Sequence, residues 1–194
     1  MIGSEGFGIV EGMLSASECA ELAAMYPNDA PFRSRVVMKQ HGFGSGEYKY
    51  FRYPLPPVIA RLRTEWYPRL ARIANEWDEP FPDSHEEFTA RCAAAGQNRP
   101  TPLLLRYQAG DYNCLHQDLY GEQVFPLQLA ILLSKPGEDF TGGEFVLTEQ
   151  RPRMQSRATV VPLSQGDGVI FPVRYRPVAG ARGTYRVNMR HGVS

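Results

Sequence analysis

Past Pro102 the chain becomes a series of short β-prone runs: LLLRYQ, PLQLAILLS, GEFVLTEQ, ATVVPLS, DGVIFPV and TYRVNMRHGV. Gly, Pro and Asp separate them. Many short strands at such intervals point to a sandwich or a barrel. The text before Pro102 differs. SASECAELAAMY (Ser15–Tyr26) reads as a helix, with Ser15 or Ser17 as its cap, Glu18 and Glu21 at its positive end and Pro27 as its stop. FRSRVVMKQHGFGSGEYKYFRY has two β-prone arms around Gly42, Gly44 and Gly46, the pattern of a hairpin. VIARLRTEWYPRLARIANEW is helical in pattern, with a kink or break expected at Pro68. HEEFTARCAAAG is a third helix, ended by Gly96. The expected class is α+β and β-dominated, one domain over residues 1–194. Residues 1–100 hold the helices and the hairpin, and residues 101–194 hold the β core.

With 194 residues the chain has mass for one ordinary core. It carries 21 basic and 21 acidic side chains, so bulk charge selects no partner. Distribution says more. Residues 1–30 hold five acids and no base, residues 31–75 nine bases and two acids, and residues 141–194 eight arginines and three acids. Such segments either focus a local field or are solvated Arg-rich faces. Three cysteines without close spacing (Cys19, Cys92, Cys114) fit a reducing compartment. No apolar run approaches the ~20 residues of a membrane span. The start of the chain lacks the basic lead and apolar core of a signal peptide. The expectation is a cytoplasmic protein with no membrane association and no obligate protein partner.

The chemistry centres on RYQAGDYNCLHQDLYGE, residues 106–122. On a strand, residues i and i+2 share a face, so His116 and Asp118 converge while Gln117 turns away. Four histidines exist: His41 in the glycine-rich hairpin, His85 at a helix start, His116, and His191 in the last β-prone run. His116, Asp118 and His191 would make two imidazoles and a carboxylate, the facial triad of non-haem Fe(II) oxygenases. Three protein ligands leave positions open for O2 and a co-substrate, whereas four would close the site. From these residues alone a second reading stands equally: a hydrogen-bonded core histidine and a turn aspartate.

RYQAGDYNCLHQD resembles the metal-binding strand of the AlkB-type 2-oxoglutarate/Fe(II) dioxygenases, with Arg-Tyr, then Gly, then Leu-His-Gln-Asp at this spacing. TGGEF (Thr141–Phe145) and QGDGVIF (Gln165–Phe171) look like the glycine turn and the following strand of that superfamily. The longer text from FRSRVVMKQHGFGSGEYKYFRYPLP to YRVNMRHGVS is similar to a bacterial branch of 2-oxoglutarate oxygenases acting on damaged nucleic acid. The resemblance implies a double-stranded β-helix (jelly-roll) core with flanking N-terminal helices and a hairpin lid. It implies Fe(II) on His116, Asp118 and His191, and Tyr107 hydrogen-bonded to a carboxylate of 2-oxoglutarate. O2 and 2-oxoglutarate would be consumed, and an N-methyl group would leave as formaldehyde. The related halogenases replace the aspartate with a small residue, so Asp118 argues for hydroxylation or demethylation.

The chain departs from that pattern in two places. The family anchors the far carboxylate of 2-oxoglutarate with an Arg or Lys beyond the distal histidine. Either that residue lies past Ser194, in a final strand the jelly-roll is expected to lack, or Arg182, Arg186 or Arg190 substitutes. The first is favoured, because a chain ending inside a strand-like run leaves an unpaired sheet edge. Leu105 stands where the family has Asn, and Tyr120, with Glu122 near, where it has an acid that reads the base.

The hairpin interleaves Arg35, Lys39, Lys49 and Arg52 with Phe43, Tyr48, Tyr50, Phe51 and Tyr53. Stacking plus phosphate contact holds single strands, and a base in a duplex would have to be flipped. Tyr48, Tyr50, Phe51, Arg52 and Tyr120 are therefore the expected substrate contacts, and nucleic acid the expected partner. RPRMQSR (Arg151–Arg157) is a second candidate for phosphate. Half of the hairpin aromatics could equally pack on the core. Two further readings stay open: a prolyl-hydroxylase-like enzyme acting on a protein or metabolite, and a cupin-like binding or sensor protein without turnover.

Overall fold

The structure is a computed structural model and describes residues 2–77, 80–181 and 183–194. Strand β1 (Gly8–Val10) is followed by α1 (Ala16–Met25). Ser15, not Ser17, caps α1, and Glu18 closes the capping box on the Ser15 backbone. The hairpin forms from β2 (Phe32–Val37) and β4 (Glu47–Phe51), antiparallel. Its glycine-rich centre is more than a turn. It holds a 3-10 turn (Met38–Gln40) and a two-residue strand, β3 (Gly44–Ser45), which leaves the hairpin to pair with a later strand.

Helix α2 (Pro57–Ala74) continues past Pro68 without the break that was one of the two expectations there. The proline costs the Thr64 carbonyl its helical donor. The packed face nonetheless holds the helix together: Leu62, Tyr67, Leu70, Ala71 and Ala74 are buried. Helix α3 (His85–Ala94) starts on the Ser84 cap, and Gly96 follows it at φ +77°.

The remaining strands are β5 (Leu103–Arg106), β6 (Tyr112–His116), β7 (Leu127–Ile131), β8 (Phe145–Gln150), β9 (Arg157–Val161), β10 (Gly168–Pro172), β11 (Tyr175–Gly180) and β12 (Gly183–Val193). Strands β1 and β11 carried no recognisable signal. The first is three residues long, and the second lies in an Arg- and Pro-bearing stretch. Strand β5, expected in the β core, pairs instead with β4, so the hairpin becomes the three-stranded sheet β2-β4-β5.

Two antiparallel sheets make the jelly-roll. One is β1-β10-β7; the other runs β3-β6-β12-β8-β9, with β11 also on β12. Leu147 and Val161 of the second sheet meet Val169 and Phe171 of the first in one buried cluster, so the inner faces form the core. Helix α2 covers the outside of the first sheet, where Leu70 packs with Leu127 and Ile170. Among the described residues no helix is long and apolar enough to cross a membrane.

Candidate metal centre

Antiparallel pairing of β6 and β12 sets His116 directly opposite His191. Their ring centroids are 4.1 Å apart. Strand parity does not deliver the third group, because β6 ends at His116 and Asp118 lies beyond it. The off-strand segment is tied down by the residue between. Gln117 turns away as expected, and its amide nitrogen donates to the carbonyls of Arg174 (2.9 Å) and Met189 (2.8 Å). This folds Asp118 back over the strand end, with its carboxylate oxygens 3.5 Å from His116 Nε2 and 3.3 Å from His191 Nε2. One ligand atom from each of the three lies within 4.8 Å of the others.

The donor set fits a divalent ion. His116 Nδ1 sits 2.8 Å from the Cys114 carbonyl, which fixes it as the N–H and leaves Nε2 for a ligand. His191 is buried against the rings of Phe145 and Phe171, and its Nδ1 has no partner. Burial pulls the His116 pKa down, but hydrogen bonds to Asp118 and Cys114 outweigh it and the net shift is upward. At His191 burial wins over Asp118, and the shift is downward. Burial alone would raise the Asp118 carboxyl. Hydrogen bonds from His116, His191 and Gln128 hold it instead far below the usual carboxylate range. The centre is therefore a part-buried anion with imidazole nitrogens beside it, the electrostatics a cation needs.

Tyr107 lies just past β5 with its hydroxyl buried and without a hydrogen bond of good geometry. Burial, countered by Asn113 and reinforced by Asp111 and Asp118, pushes its pKa up to about 12. Room for the ring comes from Gly46, at φ +118°, where a Cβ would stand 3.0 Å from Tyr107 Cδ1.

The hairpin divides its residues by parity. Glu47, Lys49 and Phe51 share one face of β4, and Tyr48 and Tyr50 the other. The tyrosine face looks on the centre. Burial, Tyr50 and Asp118 push Tyr48 up to about 12, and burial, Tyr120 and Asp118 do the same at Tyr50. Tyr120 is exposed and its hydroxyl donates to Asp118 Oδ1 at 3.4 Å. Tyr48, Tyr50, Tyr107 and Tyr120 thus form an aromatic wall beside the three ligands.

The other face corrects the expected substrate set. Phe51 is fully buried, stacked on Phe32 at 4.8 Å within a cluster that includes Tyr26 and Leu104, so its ring cannot reach a substrate. Lys49 is buried and held by the Tyr26 carbonyl (2.8 Å) and Asp29 (2.7 Å). Arg35 and Arg106 both pair with the buried Glu47. Arg52 is exposed but spends its Nε on the Phe32 carbonyl at 2.9 Å. Of the arginines raised as carboxylate anchors, Arg186 and Arg190 are exposed and alternate with buried Val187, Met189 and His191, so they point out of the barrel. Arg182 lies outside the described residues.

A polar residue with no place in the expected site joins it. Gln128 Nε2 donates to Asp118 Oδ2 at 2.7 Å. The one sign of it in the sequence is a lone glutamine inside the apolar run PLQLAILLS.

A family model for an oxygenase described as catalysing oxidative methylation of damaged DNA (Oxygenase-NA) matches residues 46–194. The chain belongs to this oxygenase family. Two uncharacterized proteins of Mycobacterium tuberculosis, from strains CDC 1551 and H37Rv, are each 52% identical over 150 residues. The match takes in 74% of this chain and 64% of theirs, so the chain spans under two thirds of these relatives. Among solved structures, a Pseudomonas putida prolyl-4-hydroxylase aligns with TM-score 0.50 and 12% identity over 97% of this chain and 89% of that one. A viral collagen prolyl hydroxylase from Paramecium Bursaria Chlorella virus-1, in complex with 2-oxoglutarate, aligns with TM-score 0.52 and 15% identity over 100% and 97%. At such identities the likeness is one of fold: the jelly-roll.

Proposed function

We propose that the chain is an Fe(II)- and 2-oxoglutarate-dependent dioxygenase that oxidatively dealkylates N-alkylated bases in nucleic acid. One observation carries the enzyme class: two imidazoles and a carboxylate from β6, its trailing loop and β12 converge within 4.8 Å in a chain of an oxygenase family. His116, Asp118 and His191 would hold the iron, and this donor set suits Fe(II) with open positions. The buried, unpaired Tyr107 hydroxyl is ready to donate to a carboxylate of 2-oxoglutarate.

When bound, iron and 2-oxoglutarate supply the oxidising power, with O2 consumed to give succinate, CO2 and a hydroxylated substrate carbon. The chain's own residues do the rest. Asp118 stays ionised at neutral pH because its hydrogen bonds outweigh burial. Tyr50 and Tyr120 offer ring faces on which a base can stack beside the centre, while Tyr48, expected as a substrate contact, is buried and packs edge-on against Tyr50. Phe145 and Phe171 keep water from the His191 side. A hydroxylated N-methyl group leaves as formaldehyde and restores the base.

One feature favours a second reading, hydroxylation of a peptide or metabolite. Three of the hairpin-sheet bases that could have held phosphates, Lys49, Arg35 and Arg106, are engaged away from the tyrosine wall, and only Arg33 of the described sheet strands lies over Tyr50. The test is succinate release under Fe(II), 2-oxoglutarate and O2. Methylated single-stranded DNA is expected to stimulate it with matching formaldehyde. Stimulation by peptide or metabolite alone would replace the substrate, and iron binding without any succinate would leave a binding protein.

A further inference from the structure

We infer that Gln128 is the positioning residue of the metal carboxylate, setting which oxygen of Asp118 faces the ion. The inference rests on the metal-centre reading above. Strand β7 alternates: Leu127 and Leu129 pack outward with α2, while Gln128 and Ala130 face the barrel interior, Gln128 opposite Phe171. An interior position between two apolar sheets would be filled more cheaply by Leu or Met. Gln128 instead keeps its Oε1 buried without a partner, a desolvation cost that an apolar side chain would not carry. What offsets that cost is the other end of the amide, a charge-assisted hydrogen bond of 2.7 Å to Asp118 Oδ2. The amide cannot be turned over, since Oε1 would then face a carboxylate oxygen, acceptor against acceptor.

Asp118 has few other supports. It lies beyond the β6 ladder. The Nε2 atoms of His116 and His191, which lie 3.5 and 3.3 Å from its oxygens, give it no hydrogen bond once those nitrogens take an ion. The Tyr120 hydroxyl remains, at 3.4 Å and exposed, on Oδ1. Among the described residues Gln128 is then the one short, part-buried donor left in the loaded site, and it occupies Oδ2. Oδ1 is left to the ion, and the carboxylate is held against swinging. Outer-shell partners of this kind are worth about 10–100-fold in metal affinity.

The experiment uses Co(II) as probe, followed by calorimetry and by its visible d–d absorption, on the full chain and on Gln128→Met, Gln128→Asn and His191→Ala. Met keeps the volume without a donor; Asn keeps the amide one methylene short. Both are expected to bind Co(II) about 10–100-fold more weakly and with an altered d–d spectrum. Urea melts of the metal-free proteins report whether each variant folds. Unchanged affinity and spectrum in both Gln128 variants, with lowered stability alone, would make Gln128 core filler and overturn the inference. If the parent protein binds no Co(II), or His191→Ala binds it as well as the parent, the metal-centre reading itself fails, before any Gln128 variant is compared.

Discussion

Phe51→Ala distinguishes a core hairpin face from a lid. Phe51 has no exposed surface and stacks on Phe32 at 4.8 Å, with Tyr26 and Leu104 in the same cluster. Removing it forfeits the transfer of a full aromatic side chain, about 1.5–3 kcal/mol. The stacked pair adds about 0.5–1.5 kcal/mol. The remaining cavity lies between α1 and a three-stranded sheet pinned by ion pairs, and collapses little, so the total should reach the ~3–5 kcal/mol typical of buried Phe→Ala. For a chain of this size each kcal/mol lowers Tm by roughly 2–4 °C, so a fall of roughly 6–20 °C is expected. Urea unfolding with an unchanged m-value measures it. A loss below about 1 kcal/mol, with substrate affinity reduced instead, would refute the core assignment and return Phe51 to the substrate face.

Tyr50→Ala acts on the opposite face. It should weaken single-strand binding by about 1–3 kcal/mol, measured by fluorescence anisotropy, and undiminished affinity would remove the aromatic wall from substrate binding. Lys49→Met should leave the salt dependence of DNA affinity unchanged, because Lys49 is buried on Asp29 and Tyr26; a phosphate-contacting lysine would lower the slope by about 1. Gly46→Ala drives a Cβ toward the Tyr107 ring at a backbone φ of +118°. The expected result is weaker 2-oxoglutarate binding with Co(II) affinity intact, and equal loss of both would point to general unfolding. At His85, burial first and Arg63 second depress the pKa to about 4. The folded protein thus holds a neutral imidazole that the unfolded chain protonates near 6.5, so its stabilising effect is complete above about 6.5 and is lost as pH falls toward 4. Urea melts at falling pH should show a smaller loss for His85→Leu than for the parent.

Much of the candidate metal centre was legible because its signal is local. His116, Asp118 and His191 stand in short, patterned stretches, and β12 brings the distal histidine opposite the proximal one by simple pairing. Strand parity does not by itself place Asp118, since β6 ends at His116 and a loop glutamine does the placing. Gln128 was illegible for a different reason. Its partner lies ten residues away on another element, and nothing in PLQLAILLS says which face of β7 looks at Asp118.

The residues alone determined what is periodic: capped helices, alternating strands, and a hairpin whose tyrosines and charges must fall on opposite faces. They could not say which of those faces meets the centre, because period 2 fixes relative orientation only. Packing decided it. Phe51 is drawn to Phe32 and Tyr26 beside α1, and Lys49 and Arg35 find Asp29 and Glu47. That leaves the tyrosines toward Asp118 and takes these bases away from the site they were expected to serve.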